Sequence, residues 1–96
     1  MAEKEKAVFS VQVDNVRTIV REWRFAPGSE TGWHLHTHDF IVVPRTKGKL
    51  LLQTKDGEST KELKPGCSYF RSSGIEHNAV NAGAEEIVLL EIELKD

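Results

Sequence analysis

The sequence of 96 residues contains one cysteine, one methionine, three prolines and no apolar run longer than four residues. With Cys67 alone there can be no intrachain disulfide framework, so stability has to come from an apolar core, a metal or a partner chain. The longest apolar runs, Phe40 to Val43 and Ile87 to Leu90, fall far short of the ~20 residues of a membrane-spanning helix. Neither sign of charge dominates: 13 Lys and Arg stand against 15 Asp and Glu, a formal net charge of -2. Such a balance gives no basic footprint for nucleic acid, and the cations of Arg45-Thr46-Lys47-Gly48-Lys49 are too few to form one. The opening Met1 to Lys6 is charged and lacks the apolar centre of a signal peptide. The expectation is a soluble cytoplasmic protein with no membrane or nucleic-acid partner. Residues 1–6 are expected to form a flexible tail and residues 7–96 a single domain.

A helical period is missing as well, since a 3.6-residue stripe would run through Gly or Pro in almost every window. The pattern instead consists of short apolar stretches broken by turn residues every eight to twelve positions, as in all-β chains. Val16 to Phe25 is rich in β-branched and aromatic residues, and Pro27-Gly28 breaks it. Asp14-Asn15 and Lys55-Asp56-Gly57-Glu58 are turn signals, the second of the hairpin type. In the last stretch Leu90, Ile92 and Leu94 alternate with Glu91, Glu93 and Lys95, which predicts an apolar face inside and a charged face outside. About eight or nine strands in a chain of this length predict a jelly roll or small barrel. An immunoglobulin-like sandwich is the alternative, without the paired cysteines of many such domains.

Histidine is the residue present in an unusual place. Three of the four histidines fall within five positions, His34, His36 and His38. On an extended strand His34 and His36 point the same way, roughly 6.6 Å apart along the chain. Two imidazoles at that spacing can converge on one transition-metal ion, leaving Trp33 and Leu35 to pack on the other side. A His-x-His pair also arises by chance on surface strands. The partner that raises it above chance is His77, which follows Gly74-Ile75-Glu76 at the start of another strand.

The spacing of these residues resembles the two signature motifs of the cupin superfamily. The first runs from Gly28 through His34 and His36 to Gly48; the second runs from Gly66 through Gly74 and His77 to Asn81. The wording around Trp33-His34, Asp39 to Pro44 and Ser68 to Arg71 is similar to small single-domain cupins associated with β-alanine degradation. The resemblance implies an all-β, cupin-type jelly roll (a double-stranded β-helix barrel) with a metal on His34, His36 and His77. Two departures stand out. The motif's usual glutamate falls at Phe40 or Ile41, and the usual proline of the second motif is Ser72. The fourth position is therefore open between Asp39 and His38, either as a ligand or as a residue supporting one. Asp39 reads equally as a turn former and His38 as a solvated residue at the pocket rim.

The expected cofactor is a divalent transition metal, iron first, with manganese, nickel or zinc as alternatives. A three-histidine site leaves up to three positions of a six-coordinate ion for substrate, water or dioxygen. The functional expectation is a metalloenzyme acting on a small polar or anionic metabolite, with oxygenation ahead of isomerisation or hydrolysis. The alternatives are a binding or sensing module without turnover, or a structural metal site. Tyr69 and Arg71 share a strand face and are candidates for holding a substrate anion, although they could equally pair outside. Cys67 reads as a buried small hydrophobe, and Trp23, Phe25, Trp33 and Phe40 as core or interface. Glu91 and Glu93 read as an exposed face. A homodimer is expected because a small β domain leaves an exposed sheet edge, and the stretch from Ala7 to Val13 is the candidate contact.

Overall fold

The computed structural model describes residues 4–95. The strands are β1 (Val8–Asp14), β2 (Thr18–Phe25), β3 (His34–Leu35), β4 (Asp39–Pro44), β5 (Gly48–Thr54), β6 (Gly57–Leu63), β7 (Tyr69–Arg71), β8 (Glu76–Asn81) and β9 (Ile87–Leu94). No helix occurs among the described residues, so none is long and apolar enough to cross a membrane. One sheet has the order β1-β2-β9-β4-β7 and the other β3-β8-β5-β6. Neighbouring strands pair antiparallel throughout. Each sheet takes strands from both halves of the chain, which is the all-β jelly roll expected from the pattern.

The core lies between the sheets and comprises Phe25, Phe40, Val42, Leu50, Leu52, Leu63, Ala79, Ile87 and Leu89. Gly48 opens β5 where it passes over Ile87; a Cβ there would lie 2.7 Å from Ile87 Cγ1, so only glycine fits. Asn15 shapes the β1–β2 turn: its Oδ1 accepts the backbone N–H groups of Arg17 and Thr18. Asn81, at the end of β8, is fully buried and donates to the carbonyls of Phe25 and Glu85 while accepting from Gly83 N–H. It thereby ties three segments at one end of the barrel.

Several expectations are corrected. The most consequential concerns β9, where the two faces are inverted. Glu91 and Glu93 are each only 9% exposed, whereas Leu90, Ile92 and Leu94 are half-buried on the outer surface. A strand's alternation fixes its period but not which face turns inward. Here the register decides: Glu91 lies between Arg21 on β2 and Val42 on β4, and Arg21 pairs with both glutamates. Cys67 is exposed rather than buried, because it lies in the turn before β7. Trp33 and Leu35 do face away from the histidines but are exposed, not packed. Phe25 and Phe40 join the core, with Trp23 against it. Of the expected tail, residues 1–3 lie outside the described residues. Glu5 and Lys6 are tied down, since Glu5 O accepts Glu30 N–H and Lys6 faces the Glu30 carboxylate at 3.5 Å.

Candidate metal centre

The histidines come together through the pairing of two short strands. On the β3–β8 ladder His34 lies directly opposite His77. β3 ends at Leu35, yet His36 is held in line by a reciprocal pair of backbone bonds: its N–H donates to Ile75 O (2.9 Å) and its carbonyl accepts from Gly74 N–H (2.7 Å). Gly74 has φ +91°, a conformation that a side chain would strain. The glycine of the second motif thus positions a histidine of the first.

The imidazoles meet through their Nε2 atoms, 2.9 Å from His34 to His36 and 3.1 Å from His36 to His77. Three lone-pair donors this close need a proton or a cation between them. His34 Nδ1 lies 2.8 Å from Gly32 O; donating its N–H there leaves Nε2 with a free lone pair. Gly32 is in turn fixed by Asn78, whose Oδ1 accepts Gly32 N–H at 2.9 Å. The Asn78 amide donates to Glu30 Oε1 and Gln53 Oε1, both at 2.9 Å, so its capacity is used in a buried place. Thr31 Oγ1 also donates to Gly32 O, at 2.9 Å.

The donor set fits a transition metal. Two nitrogens at ~2.1 Å from one ion are ~3.0 Å apart along an octahedral edge and ~3.4 Å apart in a tetrahedron. The observed 2.9 and 3.1 Å match the octahedral edge. Burial, followed by the neighbouring imidazoles, lowers the pKa of His36 and His77 to about 4. Both are therefore neutral at pH 7, the state a metal ligand requires.

His34, His36 and His77 form this cluster; the two candidates for a fourth position stand apart from it. Asp39 Oδ1 accepts Ser73 N–H at 2.8 Å, and His38 Nδ1 faces Glu93 Oε2 at 3.3 Å. The chain bends at His38, which breaks the parity that would have aligned it with His36. The inward position falls to Phe40, whose ring stacks on His36 at 4.0 Å. An apolar wall stands where the motif usually has a carboxylate.

Beyond the histidines lies a cavity of about 40 Å³, bounded by Trp23, Phe40, Tyr69, Arg71 and Glu91 among others. Both candidate substrate residues, Tyr69 and Arg71, therefore reach it. Burial raises the Tyr69 phenol above its usual range, so it stays a neutral donor. Sequence reasoning missed Glu91 and Arg21, because the alternation on β9 was assigned the wrong inner face. It also missed Asn78, which the polar start of β8, Glu76-His77-Asn78, gives no reason to place inside.

A protein-family model described as "Cupin domain" matches residues 21–93. The chain belongs to the cupin family. A relative of this cupin, the Beta-alanine degradation protein BauB of Pseudomonas aeruginosa, is 54% identical over 95 residues, covering 99% of this chain and 100% of that one. The crystal structure of a cupin domain from Bordetella pertussis Tohama I superposes with a TM-score of 0.97 at 49% identity, over 100% of both chains. The polyketide cyclase RemF of Streptomyces resistomycificus shares the fold at 19% identity, with a TM-score of 0.74 over 99% of this chain and 71% of that one.

Proposed function

We propose that this cupin is a mononuclear metal-dependent enzyme acting on a small polar or anionic metabolite, with oxygenation ahead of isomerisation. The observation that carries the reading is the convergence of three imidazole Nε2 atoms beside a cavity, with that of His36 at octahedral-edge distance from each of the other two. Among the described residues no fourth side chain joins them, whereas a purely structural site is closed by protein ligands. His34, His36 and His77 would hold the ion, with iron the first choice and manganese, nickel or zinc the alternatives. A divalent ion supplies Lewis acidity toward a substrate oxygen or sulfur. The chain's own residues do the rest. Gly32 O and Asn78 keep the His34 ring in one tautomer, Phe40 excludes water beside His36, and Arg71 and Tyr69 orient the anionic end of the substrate. The name of the Pseudomonas relative, which places that protein in β-alanine degradation, supports a substrate of this size and charge.

Elemental analysis of tag-free protein after anaerobic reconstitution tests the centre: about one metal ion per chain is expected, and less than about a tenth of that in His77→Ala. Failure of the native chain to retain metal overturns the reading. Oxygen uptake across short carboxylates and thiols, compared with His77→Ala, then reads turnover.

Two copies associating through β1 belong to the same proposal. This edge strand leaves Val8, Phe9, Val11 and Val13 exposed on both its faces, a surface suited to an isologous contact. Light scattering should give twice the chain mass of 10.8 kDa, and Phe9→Lys with Val11→Lys should give the monomer. A native monomer at micromolar concentration refutes the contact. A cytoplasmic setting fits the single exposed thiol.

A further inference from the structure

The cavity wall formed by the five-stranded sheet carries a charge that the metal-site motifs do not explain. Across β2, β9, β4 and β7 one inward row reads Arg21, Glu91, Val42, Tyr69, and the next reads Ile19, Glu93, Phe40, Arg71. Within this array Arg21 is the cation shared by two buried carboxylates, and the sharing is unequal. Glu93 makes the closer contact with Arg21 and has His38 on its other side, whereas Glu91 has Arg21 Nη1 at 3.3 Å and the Trp23 indole beside it. Glu91 borders the cavity and Glu93 does not. The indole Nε1 of Trp23, also on the cavity wall, is buried without a hydrogen-bond partner. A buried carboxylate with so little compensation is costly unless a cation approaches from the open side.

The open side is the cavity. Its far end carries Arg71, two strands across and two residues along from Glu91, about 12 Å between Cα atoms at ordinary sheet spacings. Both side chains border the same cavity, so a ligand of a few atoms would bridge them. The volume of about 40 Å³ corresponds to about three water-sized spheres. The Trp23 ring borders this space, and an aromatic face favours a cation, whereas the Tyr69 ring already faces Lys61 Nζ at 4.4 Å.

We infer that Glu91 is a specificity residue that takes the ammonium group of a short amino carboxylate whose carboxylate is held by Arg71. The ligand class is thus an amino-acid zwitterion of about three carbons rather than a simple acid. This inference deepens the reading of the cavity as the substrate site and rests on it. The alternative role for Glu91, balancing the charge of an ion on the three histidines, predicts a different result and is part of the test.

The experiment is calorimetric titration of the metal-reconstituted full chain with 3-aminopropanoate and with 3-hydroxypropanoate, in which a hydroxyl replaces the ammonium group. Metal content is determined on every sample. The native chain should bind the amino acid about tenfold or more tightly, as expected for a charge-assisted bond made away from bulk water. Glu91→Gln, which keeps the shape, should bring the two affinities within about twofold at unchanged metal content. Arg71→Met should weaken both ligands while preserving the preference of the native chain. Equal affinities in the native chain, no binding of either ligand, or a preference that survives Glu91→Gln overturns the inference. A loss of metal in Glu91→Gln assigns the carboxylate to the ion and also overturns it. Absence of metal from the native chain refutes the metal centre instead, and the same native-chain comparison then still reads selectivity.

Discussion

Replacing Asn78 by alanine should damage both stability and the metal centre. Asn78 makes three hydrogen bonds of 2.9 Å, donating to Glu30 and Gln53 and accepting from Gly32 N–H. It is 2% exposed, so water cannot take over its role without opening the barrel. Each bond contributes about 1 kcal/mol net, and the stranded partners add a desolvation penalty. The expected loss is about 3 kcal/mol, roughly 10–20 °C in Tm for a domain of this size. Urea denaturation at fixed protein concentration measures it, with an unchanged m value if only stability has moved. Gly32 loses its anchor at the same time, and Gly32 O is the atom that orients His34. Metal affinity should therefore fall by about tenfold. Asn78→Asp supplies the sharper comparison. It keeps an acceptor for Gly32 N–H but turns a second acceptor toward Glu30 and Gln53. Its deficit at pH 7 should exceed that of alanine and shrink as the pH falls and the carboxyl groups protonate. A loss under about 1 kcal/mol for alanine, with native metal affinity, would refute the reasoning.

The metal-free protein should lose stability on acidification in a defined window. His36 and His77 have folded-state values of about 4 against 6.5 when free. The unfolded chain thus binds more protons between those values, and stability present above pH 6.5 drains away as the pH falls toward 4. The urea midpoint of the native chain should fall across that window, and fall less in His36→Asn with His77→Asn; equal slopes would show that other groups dominate. Arg21→Met should cost about 3 kcal/mol or more at pH 7, because it leaves Glu91 and Glu93 buried together without their cation. Burial and the neighbouring Glu93 already raise the Glu91 carboxyl above its usual range, despite Arg21. The variant should therefore regain stability as the pH drops toward 5, and a deficit that does not change with pH would refute the ion-pair account.

Much of the strand order in sequence could be read from local chemistry. The turn residues Asn15, Gly57 and Gly66 each separate two strands, although β6 has Leu63 as its one large apolar side chain and only the hairpin turn before it signals it. The His34, His36 and His77 spacing was equally readable, because two ligands on one strand share a face and the motif glycines reserve the turns between. The fourth position was not readable. Whether His38 or Asp39 pointed inward depended on a bend whose parity local sequence does not set, and the structure turns both away. Cys67 was misplaced for a related reason: a cysteine is usually buried, but a turn keeps this one in solvent.

The sequence by itself determined that this protein is a single all-β chain with three histidines in the cupin arrangement. Periodicity, turn chemistry and motif spacing are local properties, and a reader of the chain has all of them. Only the tertiary structure decided which face of β9 looks inward. That choice depends on Arg21, 70 and 72 positions away from Glu91 and Glu93, arriving opposite them in the sheet. Alternating leucines and glutamates are compatible with either orientation until a buried cation makes the charged face the inner one. It is this long-range pairing that turns an ordinary-looking surface strand into the acidic wall of the cavity.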